Sequence, residues 1–206
     1  MIKHILVPTD GSPTAMLGVN YAIGLARHYG AVLHGMHVID VKLLEGPFLQ
    51  DISASLGTAP FINYQGNMAM LLEERGKMAL DTLAQLCGAE GIACETTLTN
   101  GLVARSILER SQLVDLIVLG RGGEHNEWLD GLLGSTTEAV VRRADRPVLV
   151  TGRDTPGNRR FVAAYDGSQH AQHALQVAAT TSASWQAPLS VIVVDNGRGQ
   201  DRKSVV

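Results

Sequence analysis

The chain has 206 residues, 45% of them apolar and only 4% aromatic, with 22 glycines, which suits an α/β protein packed with aliphatic side chains. A formal charge of -3 argues against a general nucleic-acid binder, which would carry a basic face. No apolar run is long enough to span a bilayer, and Met1-Ile2-Lys3-His4 leads into a strand and not a signal peptide, so we expect a cytoplasmic protein without membrane contact.

Ile2 to Val7 reads as a strand that ends in Pro8-Thr9-Asp10-Gly11-Ser12-Pro13. Ser12 suits an N-cap, and Pro13 suits the first helical position, where no N–H is needed. The helix runs from Pro13 to about Tyr29, with Ala15, Val19, Ala22, Ile23 and Ala26 on one face, and Gly30 stops it. A second strand covers Ala31 to Ile39, with Asp40 at its carboxyl end. Lys42 to about Tyr64 shows no period; Gly46-Pro47, Gly57 and Pro60 break it up, which predicts a long mobile segment with a short helical turn near Ile52. Met68 to about Ala89 is amphipathic, with Leu71, Leu72, Ala79, Leu80, Leu83 and Leu86 at helical spacing, and Gly91 closes it. A third strand, Ile92 to Thr99, a turn at Asn100-Gly101 and a helix from Leu102 to about Leu113 follow. Cys87 and Cys94 read as reduced core residues, since a metal site would need more ligands nearby.

The run Leu116-Ile117-Val118-Leu119 is apolar and β-branched enough for a buried parallel strand, taken as Asp115 to Leu119. Gly120, Gly122 and Gly123 follow it. A helix from Ser135 to Ala144 then opens on an S-x-x-E capping box, Ser135 with Glu138. Such a unit makes an anion site, because the first helical N–H groups have no partner within the helix, the dipole is positive there and glycine admits a phosphate. On the glycines alone, a phosphate cradle and an ordinary strand-to-helix turn stand equal. The last strand is Pro147 to Thr151, and its proline suits an edge position or an entry bend.

Alternating strands and helices imply right-handed crossovers and a parallel sheet covered on both faces. We expect an α/β fold with a five-stranded parallel sheet in doubly wound order 3-2-1-4-5. Ligands bind such a sheet where strand order reverses, here between the first and fourth strands. Those strands end in Pro8-Thr9-Asp10 and in Gly120, and this convergence favours the phosphate reading.

Phe161 to Ser168 repeats the plan of Ile5 to Ser12, with the same Asp-Gly-Ser, and a helix (Gln169 to Ser184) and a strand (Leu189 to Val194) follow in the same order. The expected organisation is a complete domain over 1–152, a linker over 153–159 and a truncated second copy over 160–200. Residues 201–206 break the pattern and read as a technical scar on a longer natural protein.

Ile5-Leu6-Val7-Pro8-Thr9-Asp10-Gly11-Ser12, His37-Val38-Ile39-Asp40, Leu116 to Gly120, Leu133-Gly134-Ser135 and Arg146-Pro147-Val148-Leu149-Val150 together resemble the universal stress protein family, in a tandem arrangement. Its nucleotide-binding branch carries G-x2-G-x9-G-(S/T). The resemblance implies that Gly120, Gly123, Gly134, Ser135 and Thr136 hold the phosphates and ribose of ATP, with Mg²⁺ as helper. It also implies that Asp10, with Pro8, Thr9 and Val38, lines the adenosine end. Ten residues, Glu124 to Leu133, separate Gly123 from Gly134 where the family pattern has nine, which bears on how the loop covers the triphosphate.

There is no Walker lysine, and indeed no lysine between Lys77 and Lys203. Phosphate would be met by backbone N–H groups, hydroxyls and Arg121, which reads equally as a solvated loop arginine. Asp10 either accepts from adenosine or makes an Asx turn before the helix. His125 could touch a terminal phosphate or simply be exposed, and His34 and His37 read as packing or edge residues. The leading expectation is an ATP-binding regulatory protein of the stress response, a homodimer or a pseudo-dimer with its second domain through 147–151. The alternatives are a slow ATP hydrolase, for which Glu124, Glu127 and Asp130 are the nearby acids, and a scaffold that binds no nucleotide.

Overall fold

The computed structural model describes residues 2–45, 59–122, 133–152 and 160–193, with side chains from 44 to 65 outside the description. The chain divides into two compact units, 1–155 and 156–206.

The first unit holds β1 (His4–Pro8), α1 (Pro13–Tyr29), β2 (Val32–Asp40), α2 (Val41–Glu45), α3 (Ala59–Ala89), β3 (Cys94–Gly101), α4 (Val103–Ser111), β4 (Leu116–Gly120), α5 (Ser135–Val141) and β5 (Val148–Thr151). Its sheet is parallel, in the order β3-β2-β1-β4-β5. Alternation along the central strands sends side chains to opposite faces, and both faces are buried. Ile5, Val7, Leu33, Leu116 and Val118 pack under α1 and α3, against Val19, Ala22, Ala26, Leu83 and Cys87. Leu6, Met36, Ile117 and Leu119 pack on the other face against Ile107 of α4 and Val140 of α5. Cys87 lies in this core, and burial above all pushes its thiol up to about 12, with the adjacent Cys94 adding to the effect.

Several boundaries differ from the sequence reading. The long helix begins at Ala59, well before Met68, with Pro60 in its first turn, where a missing N–H is tolerated. Asn100 and Gly101 are not a turn but the end of β3, paired with Ile39 and Asp40. A short helix occupies Val41–Glu45, where no period was visible. α4 and α5 end at Ser111 and Val141, ahead of Leu113 and Ala144. The turn expected near Ile52 lies outside the described residues.

At the amino end of the sheet, the amides of Lys3 and His4 both donate to Asp115 Oδ2, at 2.8 and 3.0 Å. His4 Nδ1 lies 3.0 Å from His34 Nε2, and Glu95 Oε2 lies 3.2 Å from His34 Nδ1. Burial above all lowers the His34 pKa; Glu95 opposes this, while the charges of His4 and Arg110 add to it. Because the folded state favours the neutral ring, the stabilisation is whole above the unfolded value of about 6.5 and is lost as pH falls from there through the lower folded value. The melting temperature should therefore fall between pH 7 and pH 5, and His34→Gln should flatten that fall. Superimposable pH curves for the two proteins would contradict this.

In the second unit, β6 (Phe161–Tyr165) pairs in parallel with β7 (Leu189–Val193), and α6 (Gln169–Ser184) connects them. Its Asp-Gly-Ser turn copies that of the first unit. Asp166 Oδ1 accepts from the Ser168 amide and Ser168 Oγ accepts from Ala171, while the glycines sit at φ 77° (Gly11) and 82° (Gly167). The proposed linker over 153–159 and residues 201–206 lie outside the described residues.

Candidate functional site

The sheet opens at one seam, and proline sets where. Odd residues of β1 address β2: Val32 donates to Lys3 O and Thr9 donates to Met36 O at 2.9 Å. Even residues address β4, since Asp115 donates to His4 O. After Leu6 the next even donor is Pro8, and it has no N–H. The β1–β4 ladder accordingly runs only from Ile5–Leu116 to Leu6–Ile117, while β1 continues with β2 to Pro8 and β4 continues with β5 to Gly120. The two strands part at their carboxyl ends, where strand order reverses.

Beyond that parting, hydrogen bonds run from the β1 turn to the start of α5. Asp10 Oδ1 accepts from the Ser12 amide at 2.9 Å, Ser12 Oγ is 3.2 Å from Thr14 Oγ1, and Thr14 Oγ1 donates to Gly122 O at 2.8 Å. Thr137 Oγ1 donates to Gly120 O at 2.9 Å, and the Gly134 amide donates to Arg121 O at 2.9 Å. Three successive carbonyls, of Gly120, Arg121 and Gly122, thus accept from the protein. Asp10 makes the Asx turn that the sequence left as one of its two roles.

Glycine at 120 answers to packing. A Cβ there would lie 2.5 Å from Thr14 O and 3.1 Å from Ala15 Cα, and one on Gly18 would lie 3.1 Å from the Gly120 nitrogen. The close approach that glycine permits is that of α1 onto β4.

The capping box does not form. Gly134 is the N-cap, with no side-chain cap bond, and the Glu138 amide donates to Gly134 O. Ser135 is therefore the first helical residue, one position too late to cap. The Glu138 carboxylate turns instead to Arg142, one helical turn on, at 2.8–2.9 Å. Ser135 is exposed, Thr136 and Arg121 are half-buried, and Thr137 is buried. Thr9 is buried, while half-buried Val38 packs on the α4–α5 face with Leu6 and Met36. Gly123, His125 and the acids Glu124, Glu127 and Asp130 lie outside the described residues.

Two clefts open at this end of the sheet among the described residues. One, of about 290 Å³, lies between Ile39, Leu98 and Asn100 and the α3 residues Ala69 and Glu73. The other, of about 480 Å³, lies between Asp10, Ser12 and Met16 and Arg75, Met78 and Thr82 of α3. Both are on the α3 side and neither is lined by Gly120 or Ser135; residues 123–132 are outside the described residues. Among the described residues no three His, Cys, Asp or Glu side chains could together hold a metal ion. No helix of them is long and apolar enough to cross a membrane.

His37, which the sequence reading took as packing or edge, stands behind the β1 turn. Its Nδ1 lies 2.8 Å from Thr9 O. The signal was Gly76, a glycine inside an amphipathic helix: a Cβ there would lie 2.6 Å from His37 Cδ2.

Residues 1–152 match the model of the Universal stress protein family. The chain is similar to a universal stress protein of Synechocystis, 27% identical over 201 residues that make up 94% of this chain and 70% of that protein. It is 30% identical over 150 residues to Universal stress protein A homolog 1 of Coxiella burnetii, covering 71% and 94% of the two chains. A universal stress protein structure from Archaeoglobus fulgidus has the same fold, with TM-score 0.69 and 24% identity over 95% of this chain and 68% of that one. The structure of protein MJ0577 of Methanocaldococcus jannaschii matches at TM-score 0.62 and 23% identity, over 76% and 99%. A universal stress protein solved in complex with cAMP matches at TM-score 0.51 and 21% identity, over 74% and 99%.

Proposed function

The chain belongs to the universal stress protein family, and from there we propose that it binds ATP, with Mg²⁺, at the seam where β1 and β4 part, as a regulatory protein of the stress response. The observation that carries this reading is the row of carbonyls at Gly120, Arg121 and Gly122, each occupied by a protein donor. Each carbonyl of that row is held by a donor that fixes its direction and offsets part of its negative end, while Arg121 and the hydroxyls of Ser135 and Thr136 belong to the same exit. Asp10, Pro8, Thr9 and Val38 form the adenosine side of the proposal, and Gly123 and Gly134 form the phosphate side. The family likeness to a protein solved with cAMP supports a nucleotide as the ligand class. The groups assigned here bind and orient the nucleotide, so retention of ATP with slow or no hydrolysis is the expected outcome.

The outer edge of β5 carries no strand among the described residues. Pairing there, with a second copy of the chain or with the second unit, is the proposed self-association.

Calorimetric titration of the full chain with ATP and Mg²⁺ tests the proposal. Saturable binding tighter than about 1 mM, with no steady release of ADP, is expected. Absence of saturation would favour the scaffold reading, and multiple-turnover ADP release would favour the enzyme.

A further inference from the structure

Thr9 is held by two consecutive residues of β2. Its amide donates to Met36 O at 2.9 Å, and its carbonyl lies 2.8 Å from His37 Nδ1. A carbonyl only accepts, so the proton of this contact sits on Nδ1, which fixes the neutral ring in its Nδ1–H tautomer. Thr9 Oγ1 in turn accepts from the Gly11 amide at 3.2 Å. The ring cannot back away, because α3 closes on its other side at Gly76, where even a Cβ would lie 2.6 Å from His37 Cδ2. Thr9 is buried, so its carbonyl has no ready solvent substitute for this donor.

The turn that follows carries Asp10, whose carboxylate holds the Ser12 amide, and then Thr14, whose hydroxyl holds Gly122 O. Displacing Thr9 therefore displaces both sides of the seam. We propose that His37 is a positioning residue for the nucleotide site: its Nδ1–H holds the Thr9 carbonyl and thereby places Asp10 and the start of α1. This rests on the reading that ATP binds at the seam. His37 itself touches no part of the nucleotide in this account; it acts through the turn.

Asparagine can place an amide N–H near the Nδ1 position, whereas glutamine reaches instead toward the Nε2 position, against α3. His37→Asn, His37→Gln and His37→Leu should accordingly separate, measured in the full chain by Mg²⁺-ATP titration alongside melting temperature. Affinity in His37→Asn should stay within about threefold of the parent, while His37→Gln and His37→Leu should bind about tenfold more weakly. Equal losses in the Asn and Gln variants, or parent-like affinity in His37→Leu, would overturn the proposal. A second arm needs no ligand. Ring nitrogen shifts should place the proton on Nδ1, and the Asp10 and Gly11 amide resonances should move in His37→Leu but stay near their parent positions in His37→Asn. If the parent fails to bind ATP, the nucleotide reading falls, and this arm still decides whether His37 sets the turn. A ring protonated on Nε2 alone, or unmoved amides in His37→Leu, would refute it.

Discussion

Gly120→Ala should destabilise the first unit by about 3 kcal/mol and abolish nucleotide binding. The added Cβ would meet Thr14 O at 2.5 Å, Thr14 C at 2.8 Å and Ala15 Cα at 3.1 Å, all of them backbone at the start of α1. No rotamer relieves such a contact, so α1 must lift off β4. Lifting it loosens the packing of Val19 and Ala22 in the core and breaks the bond from Thr14 to Gly122 O. Alanine also narrows the unfolded ensemble, an opposing gain of at most about 1 kcal/mol that does not change the sign. Gly24→Ala in the same helix is the control: nothing lies within 4 Å of the new methyl, and it should stabilise by about 0.5–1 kcal/mol. Urea unfolding measures both, with a lower midpoint for Gly120→Ala at unchanged slope. A Gly120→Ala protein as stable as its parent would mean that α1 does not approach β4 this closely.

Thr137→Val should cost about 2 kcal/mol. The residue is 4% exposed and its hydroxyl donates to Gly120 O at 2.9 Å. Valine keeps the volume and removes the donor, leaving a buried carbonyl without that partner. In a unit of this size the melting temperature should drop by about 5 °C. Thr151, whose hydroxyl donates to Leu119 O at a longer 3.3 Å, offers a graded comparison, and Thr151→Val should lose less. The Thr137 variant should also bind ATP more weakly, because a carbonyl released from its donor can turn toward the phosphate. A Thr137→Val protein that melts with its parent would remove the row of occupied carbonyls as a support for the anion site.

The strand order was legible because Leu116-Ile117-Val118-Leu119 and Ile5-Leu6-Val7 are apolar on both faces, as only an interior parallel strand needs to be. Ser12-Pro13 announced α1, and Ser12 does cap it by accepting from Ala15. Boundaries that depend on partners were not legible. Pro8 looks like a strand breaker in one dimension; only the pairing of odd residues with β2 and even residues with β4 shows that it ends one ladder and not the other. Ser135 and Glu138 have the spacing of a capping box, but that spacing cannot tell the cap from the first helical residue. Arg142 then offers Glu138 a charged partner at helical distance. Residues 59–67 hide a helix because Pro60 and Gly66 interrupt the apolar period. Gly120 was legible as a place of close approach, but what approaches it is α1. His37 has its partner 28 residues away in a backbone carbonyl, which no side-chain pattern announces.

Amide resonances followed through a Mg²⁺-ATP titration of isotope-labelled full chain locate any ligand directly. Saturable shifts centred on Asp10, Arg121, Gly122 and Gly134 to Thr136 are predicted, with Ala69, Glu73 and Thr82 in the α3 clefts unmoved. Shifts confined to those α3 residues, or none that saturate below about 1 mM, would contradict a nucleotide seated between the parted ends of β1 and β4.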